Sequence, residues 1–210
     1  MAKYKKADQV KLAKIMKDPV AWAQAFLRTF NPQTGRIEPW KARWYQVEML
    51  QDQSKKRVYR CGRRTGKTET MVVESLFHVC TKKNFRVLII TPYENQVRLA
   101  FMRLNELIKE SPVVSSMVLS NTKNPYMIKM NNESAILGFT TGASSGGGAA
   151  SIRGQRADLI VMDEVDYMGE ADFDSVMIIA GERPEIRTVM SSTPTGKRSK
   201  FYQACTDPKM

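Results

Sequence analysis

The chain has 210 residues and a formal net charge of +12, with 33 lysine and arginine residues against 21 aspartate and glutamate residues. This length allows one domain of ordinary size with a sizeable hydrophobic core. The excess of positive charge indicates a polyanionic partner, with nucleic acid favoured over an anionic membrane surface. No apolar stretch approaches the ~20 residues that a membrane-spanning helix needs, so the sequence offers no candidate for one.

The N-terminus and the cysteines bear on the compartment. The first residues are basic but lack the apolar core of a signal peptide. Three cysteines, Cys61, Cys80 and Cys205, are too few and too scattered for a disulfide framework or a zinc site. These features predict a reducing compartment, which indicates a cytoplasm. The single histidine, His78, is interpreted as a packing or surface residue.

Predicted helices and strands alternate along the chain. Residues 8–30 are predicted to form two short amphipathic helices split at Asp18-Pro19, and residues 31–35 a turn. The later predicted elements are a helix over 44–53, a strand over 56–60, a helix over 69–80, a strand over 86–91, a helix over 95–109, a hairpin of strands 126–130 and 135–140, a strand over 159–162, a helix over 171–180 and a strand over 186–191. The glycine-rich stretch 142–150 is predicted to be flexible. Strands that alternate with helices predict an α/β fold with a parallel sheet covered on both faces.

Residues 61–68, here called the phosphate loop, read Cys-Gly-Arg-Arg-Thr-Gly-Lys-Thr and form the most informative motif. A glycine-rich turn that ends in Gly66-Lys67-Thr68, between a strand and a helix, is typical of a triphosphate site. Backbone N–H groups surround the phosphates, Lys67 reaches the β- and γ-oxygens, and the Thr68 hydroxyl ligates Mg²⁺. The alternative is a basic surface turn, and Cys61 stands where the first glycine of the usual motif is expected.

A second motif lies at the end of the apolar run 159–162, which is typical of a strand buried on both faces. The run ends in Asp163-Glu164, which places two carboxylates where open α/β sheets bind their ligands. Asp163 would hold Mg²⁺ through water, and Glu164 would polarise the water that attacks the γ-phosphate. An ordinary acidic strand end is the alternative. Both motifs together, in this order, favour a nucleoside triphosphate hydrolase.

Three smaller features add candidate roles. The Gln46 amide offers one donor and one acceptor that match the edge of adenine, although an amphipathic helix with aromatic anchors explains it equally well. Ser192 and Thr193 follow the last strand, where small hydroxyls can contact the γ-phosphate and report its hydrolysis; a plain turn is the alternative. Arg153 follows the glycine-rich stretch and is a candidate arginine finger, which supplies positive charge as phosphate leaves.

In this order the motifs resemble the large terminase subunit of tailed bacteriophages, the motor that pumps DNA into empty capsids. The resemblance covers roughly residues 40–200. It consists of the glutamine motif at Gln46, the phosphate loop from Gly62 to Thr68, the segment Ile152-Arg153-Gly154, the acidic strand end Asp163-Glu164 and the Ser-Ser-Thr-Pro coupling motif at 191–194. A relaxed first glycine and an early arginine are typical of the phosphate loops of these motors.

The resemblance implies a P-loop ATPase of the class with an additional strand between the two nucleotide motifs and a catalytic glutamate. It assigns ATP binding to Gly62, Arg63, Arg64, Thr65, Gly66, Lys67 and Thr68, Mg²⁺ binding to Thr68 and Asp163, and the role of base to Glu164. Arg63 would sense the γ-phosphate in its own subunit, and Arg153 would reach the ATP of a neighbouring subunit in a homo-oligomeric ring. The implied partners are double-stranded DNA, a portal protein and a small terminase subunit, with no membrane partner, in the cytoplasm of the host cell.

The resemblance also divides the chain into an N-terminal helical arm (1–40) and the ATPase domain (41–210). Full-length family members carry a C-terminal nuclease domain with clustered acidic metal ligands. Glu170, Asp172 and Asp174 lie on one short segment and are interpreted as a solvated helix face, so we expect the ATPase half of a longer protein. Two other functions stay open: a helicase-like ATPase, which needs a second RecA-like domain, and a non-catalytic DNA-binding or assembly module with a degenerate loop.

Overall fold

The computed structural model describes residues 6–142, 152 and 154–207. In chain order the elements are α1 (Lys6–Ile15), α2 (Pro19–Phe26), β1 (Arg28–Asn31), β2 (Arg36–Pro39), α3 (Trp44–Gln51), β3 (Lys56–Arg60), α4 (Lys67–Thr81), β4 (Arg86–Thr91), α5 (Glu94–Glu110), α6 (Pro112–Ser115), β5 (Val118–Lys123), β6 (Tyr126–Met130), β7 (Ala135–Thr140), β8 (Leu159–Asp163), a short 3₁₀ helix (Val165–Tyr167), α7 (Glu170–Gly181), β9 (Arg187–Ser192) and α8 (Lys200–Thr206).

A seven-stranded sheet forms the centre of the molecule, in the order β3-β9-β8-β4-β7-β6-β5. Adjacent strands from β3 to β7 are parallel, and β6 and β5 extend the sheet as antiparallel neighbours. The predicted α/β fold with a mostly parallel sheet is confirmed. Strand β9 lies between β3 and β8, which carry the two nucleotide motifs, as the additional-strand class requires.

Helices cover both faces of the sheet, and the alternation of side chains along β4 shows why. Val87 and Ile89 belong to one hydrophobic core, with residues of α2, α4 and α5, whereas Leu88 and Ile90 belong to a second core with residues of α7. Strand β8 is buried along its whole length because it lies in the middle of the sheet.

Most predicted elements are present, but the N-terminal segment and one sheet edge differ from the prediction. Residues 28–30 were expected to be helical and instead lie in β1, which pairs with β2 in a separate antiparallel sheet. Helix α2 ends at the fully buried Leu27, which adopts an extended conformation and directs the chain into the strand. Strands β2 and β5 and helices α6 and α8 were missed. Strand β5 is a half-exposed edge strand with few apolar residues, so its sequence carries little signal.

The remaining sequence predictions concern the organisation of the chain. The division of the chain into an arm (1–40) and an ATPase domain (41–210) stays a prediction. Helix α2, which belongs to the predicted arm, contributes Trp22 and Ala23 to the same hydrophobic core as α4. Of the glycine-rich stretch 142–150, residues 143–150 lie outside the described residues. Within the described part of the chain, no helix has both the length and the apolar character needed to cross a bilayer.

Candidate active site

The phosphate loop follows β3 at the carboxyl end of the parallel strands, and its last two residues, Lys67 and Thr68, form the start of α4. The backbone is left-handed at Arg64 (φ 60°) and at Gly66 (φ 83°). A Cβ atom at position 66 would lie 3.0 Å from Gln46 Nε2 and 3.2 Å from Arg43 Nη1. Conformation and crowding therefore both favour glycine at this position. The N-terminus of the 15-residue helix α4 meets the loop, an arrangement that favours a bound anion.

Two contacts join the phosphate loop to the end of β8. Lys67 Nζ donates a hydrogen bond to Glu164 Oε1 at 2.6 Å, and Thr68 Oγ1 donates to Asp163 Oδ2 at 2.6 Å. We call these four residues the nucleotide-site cluster. The two motifs are nearly a hundred residues apart in sequence, and the sheet brings their side chains into direct contact.

Asp163 is the most buried carboxylate of the nucleotide-site cluster, with 7% of its surface exposed. Burial raises the pKa of its carboxyl above the ordinary value, against the hydrogen bonds from Thr68 and Ser191, which lower it. Ser191 Oγ donates to Asp163 Oδ1 at 2.7 Å, and the backbone N–H of Glu164 donates to the same oxygen at 2.9 Å. The carboxylate is therefore held in one orientation by residues from three elements.

Glu164 has an unusual backbone for a glutamate, with φ 55° and ψ 41°. A non-glycine residue in the left-handed region is uncommon and is often found at functional sites. Its Oε2 atom accepts hydrogen bonds from Ser192 Oγ at 3.3 Å and from the Thr193 N–H at 3.5 Å. Thr193 Oγ1 also lies 3.3 Å from Lys67 Nζ. The predicted coupling residues thus touch both the predicted base and the phosphate-loop lysine.

A cavity of about 360 Å³ opens beside these residues. Its lining consists of Arg63, Arg64, Lys67, Tyr93, Gln96, Glu164, Tyr167 and Thr193. Three cationic side chains and one carboxylate therefore face a space that adjoins a helix N-terminus. This combination suits a polyanionic ligand and a polarised water molecule.

The chain matches the family model for the N-terminal part of the terminase large subunit of the T4-like virus type over residues 58–209, well over half of its length. It belongs to the terminase large subunit family. No curated protein matches the chain.

Solved structures show the same fold as this terminase chain. The large terminase of bacteriophage HK97 is 13% identical, with a TM-score of 0.70 over 90% of this chain and 40% of that protein. The ATPase domain of the large terminase of Thermus phage P74-26 is 21% identical, with a TM-score of 0.62 over 78% of this chain and 69% of that domain. The large terminase of another thermophilic bacteriophage, in complex with ADP, is 14% identical, with a TM-score of 0.52 over 67% of this chain and 34% of that protein.

Gln46, the candidate adenine contact, is 3% exposed, and its amide bonds to protein atoms. Its Nε2 atom donates to the Gly66 carbonyl at 3.2 Å and to Thr70 Oγ1 at 3.1 Å, while Oε1 accepts from the Arg43 N–H at 3.0 Å. Both amide donors are therefore engaged, and the amide supports the phosphate loop and the start of α3. The adenine contact stays a prediction, and it requires these bonds to rearrange.

Two features of the site were missed by the sequence analysis. Tyr45 Oη donates to the Thr65 carbonyl at 2.6 Å, which ties α3 to the phosphate loop. Asp166 accepts hydrogen bonds from the Thr195 N–H at 2.6 Å and from Ser199 Oγ, which fixes the segment after the coupling residues. Although burial acts to raise it, these bonds hold the pKa of Asp166 below its ordinary value. The only available signal was proximity in sequence, since Tyr45 adjoins Gln46 and Asp166 follows Glu164 by two positions.

Of the two candidate arginines, Arg63 and Arg153, only Arg63 lies among the described residues. Arg63 lies in the exposed part of the phosphate loop and lines the cavity, as its predicted role requires. Arg153 lies outside the described residues, and its role stays a prediction. Of the other phosphate-loop residues, Arg64 lines the cavity, and Thr65 Oγ1 donates to the Gly62 carbonyl at 3.0 Å, a bond that closes the turn.

Proposed function

We propose that the chain is the ATPase motor part of a terminase large subunit and that it couples Mg²⁺-dependent ATP hydrolysis to translocation of double-stranded DNA into a procapsid. The observation that carries the proposal is the direct pairing of Lys67 with Glu164 and of Thr68 with Asp163, each at 2.6 Å. Membership of the terminase large subunit family and the net charge of +12 support it.

The pairing of Lys67 with Glu164 gives the first step of the mechanism. Lys67 is 8% exposed, and its ammonium group is shared between Glu164 and Thr193. When a triphosphate enters the loop, Lys67 turns to the β- and γ-oxygens, because they carry more negative charge than one carboxylate. Glu164 then loses its cation and becomes free to orient a water molecule. Substrate binding and activation of the base are thus linked through one side chain.

The geometry of Thr68 and Asp163 fits Mg²⁺. Mg²⁺ takes hard oxygen ligands, keeps several waters and is bound by one or two carboxylates together with substrate phosphates. Thr68 would offer its hydroxyl directly, and the buried Asp163 would bind through water. The bound ion would neutralise charge that develops between the β- and γ-phosphates. The raised pKa of Asp163 also fits a site completed by a cation, because a nearby positive charge favours the ionised carboxyl.

Glu164 acts as the base in this mechanism, and Ser192 and Thr193 report its state. Glu164 Oε2 is held by the Ser192 hydroxyl and the Thr193 N–H, both at the end of β9. A shift of Glu164 towards an attacking water changes these bonds. The change passes along the segment that Asp166 anchors through Thr195 and Ser199. This connected set of bonds is the proposed route from hydrolysis to movement of DNA.

Arg63 and Arg153 are proposed to stabilise negative charge on the departing phosphate. Arg63 acts within the subunit, from the cavity wall. Arg153 acts on the ATP of a neighbouring subunit in a homo-oligomeric ring. The portal protein, the small terminase subunit and a site of action in the cytoplasm of the host cell follow from the proposed role as a packaging motor.

The proposal is tested by measuring steady-state ATP hydrolysis with and without double-stranded DNA. We expect hydrolysis that needs Mg²⁺ and rises when DNA is added. No hydrolysis under any condition would instead indicate a DNA-binding or assembly module. Displacement of a base-paired strand during hydrolysis would indicate a helicase.

A further inference from the structure

A second cavity, of about 280 Å³, lies at the other end of α4 from the nucleotide site. Its ionisable lining residues are Lys17, Asp52, Glu74, His78, Lys82 and Arg187. His78 follows Lys67 by eleven positions on α4, which corresponds to roughly 16 Å along the helix axis. The cavity is therefore separate from the space beside Glu164, although α4 contributes to both.

Three deeply buried ionisable residues lie at this cavity: Glu74 and His78 line it, and Arg57 lies behind Glu74. We call them the α4 C-terminal cluster. Arg57, Glu74 and His78 are 3%, 4% and 6% exposed. One Glu74 oxygen accepts from Arg57 Nη2 and lies 3.6 Å from His78 Nε2. The Glu74 carboxylate is thus the shared partner of Arg57 and His78, and it is the single negative charge of the cluster.

The cluster and its neighbour Arg187 are incompletely bonded. Among the described residues, Arg57 Nε, His78 Nδ1 and Arg187 Nε are buried and have no hydrogen-bond partner. A buried polar atom left without a partner costs about 1–3 kcal/mol, so each of these atoms calls for an explanation, and a bound ion or an ordered water supplies one. The His78 ring stacks on Phe85, with centroids 5.1 Å apart, and contacts Phe77 at 5.2 Å. These contacts fix the ring and the direction of Nδ1.

The charge around the cavity has an excess of cations. Lys17, Lys82 and Arg187 line it and Arg57 lies behind it, whereas the carboxylates are only Glu74 and Asp52. Burial and then the neighbouring Arg187 lower the pKa of Lys82, and burial and then Arg57 lower the pKa of Arg187. The cations therefore destabilise one another, and an anion between them would relieve this repulsion.

We propose that this cavity is a binding site for a phosphate-class oxyanion, in which His78 and Arg187 donate hydrogen bonds to the ion and Lys82 supplies charge. Glu74 also lines the cavity, but the bond from Arg57 neutralises its carboxylate, so Glu74 repels the ion less than a free carboxylate would. The site needs no nucleotide and is independent of the proposed ATPase function.

Binding at this site should take up a proton on His78. Burial lowers the pKa of His78 against the contact with Glu74, and a neutral ring whose Nε2 donates to Glu74 leaves Nδ1 without a proton. The ionisable groups that line the cavity with His78 are Glu74, Lys82, Arg187, Asp52 and Lys17, and Arg57 of β3 lies behind Glu74. A bound dianion adds negative charge to this set, so it raises the pKa of His78, and binding should be tighter at lower pH.

His78 is the only histidine of the sequence, which makes its ring a specific NMR probe of this cavity in protein without a histidine tag. We expect inorganic phosphate, added at constant pH and ionic strength against chloride, to shift the His78 Cε1–H resonance saturably. Sulfate, whose charge is constant near neutral pH, should bind at least about threefold more tightly at pH 6 than at pH 7.5 because of the proton on His78.

Two variants separate this site from the phosphate loop. Arg187→Gln should weaken the phosphate effect on His78 by about tenfold or more, since it removes a charge-assisted donor, and should leave ATP binding unchanged. Lys67→Ala should do the reverse. If Arg187→Gln does not fold, Lys82→Gln serves in its place, with an expected loss of about threefold. A shift that chloride reproduces, that does not saturate, or that survives these variants unchanged would mean an adventitious ion only, and the proposal would be wrong.

Discussion

Helix α4 has a buried ionic cluster near each end, and the two clusters are completed in different ways. In the nucleotide-site cluster every carboxylate is bonded by protein donors, because Ser191 and Ser192 of β9 complete what Lys67 and Thr68 begin. In the α4 C-terminal cluster, two nitrogen atoms, Arg57 Nε and His78 Nδ1, have no hydrogen-bond partner among the described residues.

The difference shows what each cluster is built to do. The Lys67–Glu164 pair is open to solvent on the glutamate side, whose side chain is 20% exposed, so its partners can be exchanged for a substrate at low cost. The Arg57–Glu74 pair has side-chain exposures of 1% and 6% and cannot exchange partners without leaving a buried charge. The first pair should therefore matter for turnover and the second for stability.

The largest expected effect on stability comes from Arg57→Met. This change leaves Glu74 buried without its main cation and should lower the free energy of unfolding by about 3–5 kcal/mol. Lys67→Ala should lower it by no more than about 1 kcal/mol, since Glu164 can be solvated. Urea unfolding of both variants checks the contrast.

A matched control for Arg57→Met is the double variant Arg57→Met/Glu74→Met. Replacing a buried ion pair by apolar side chains of similar volume is often close to neutral, so the double variant should regain most of the lost stability. If it is as unstable as Arg57→Met alone, the unpaired carboxylate is not the cause.

A smaller effect is expected for Gln46→Ala. Because the Gln46 amide holds Gly66 and Thr70, its loss should weaken ATP and GTP alike, by about tenfold, which corresponds to one or two lost hydrogen bonds. Gln51→Ala on the same helix is the control, since that amide bonds to Asp18 away from the loop. A loss confined to ATP would show that Gln46 contacts adenine after all.

The smallest expected effect is a pair of opposite changes with pH. The pKa of Asp163 is raised in the folded state, so its contribution to stability falls as pH rises through the carboxyl range. The pKa of Asp166 is lowered, so its contribution is present above the unfolded pKa of about 3.9 and is lost at lower pH. At pH 7 without nucleotide, Asp163→Asn should stabilise the protein and Asp166→Asn should destabilise it. Thermal unfolding at pH 7 and near pH 4 measures both, and changes of the same sign would contradict the assignment.

The parts of the molecule that the sequence predicted well are those encoded in one continuous segment. Strands β4, β6 and β7 have the predicted bounds because their apolar runs end at Pro92, Asn131 and similar punctuating residues. The phosphate loop and the pair Asp163-Glu164 were found because each is a local motif. The placement of Asp163-Glu164 at the ligand-binding edge followed from the rule that open α/β sheets bind ligands at the carboxyl ends of their strands, whereas the direct contact of the two motifs was not predicted.

The parts that the sequence did not predict depend on contacts between distant segments. The role of Gln46 is set by how closely α3 approaches the start of α4, and no pattern in either helix encodes that distance. His78 was interpreted as packing or surface, and its stacking on Phe85 confirms packing. The contact of His78 with Glu74 joins two residues four positions apart on one helix, which is a common spacing. Arg57, which completes the cluster, comes from the distant strand β3, so the sequence did not reveal the cluster.

The most direct test of the central claim measures ATP affinity and turnover for Glu164→Gln beside Lys67→Ala. In the proposed mechanism, Lys67 binds phosphate and is held by Glu164 until ATP enters. Glu164→Gln should therefore bind ATP at least as tightly as the wild type and hydrolyse it about 10²–10⁴-fold more slowly, while Lys67→Ala should lose binding itself. Hydrolysis by Glu164→Gln at the wild-type rate would contradict the assignment of Glu164 as the base.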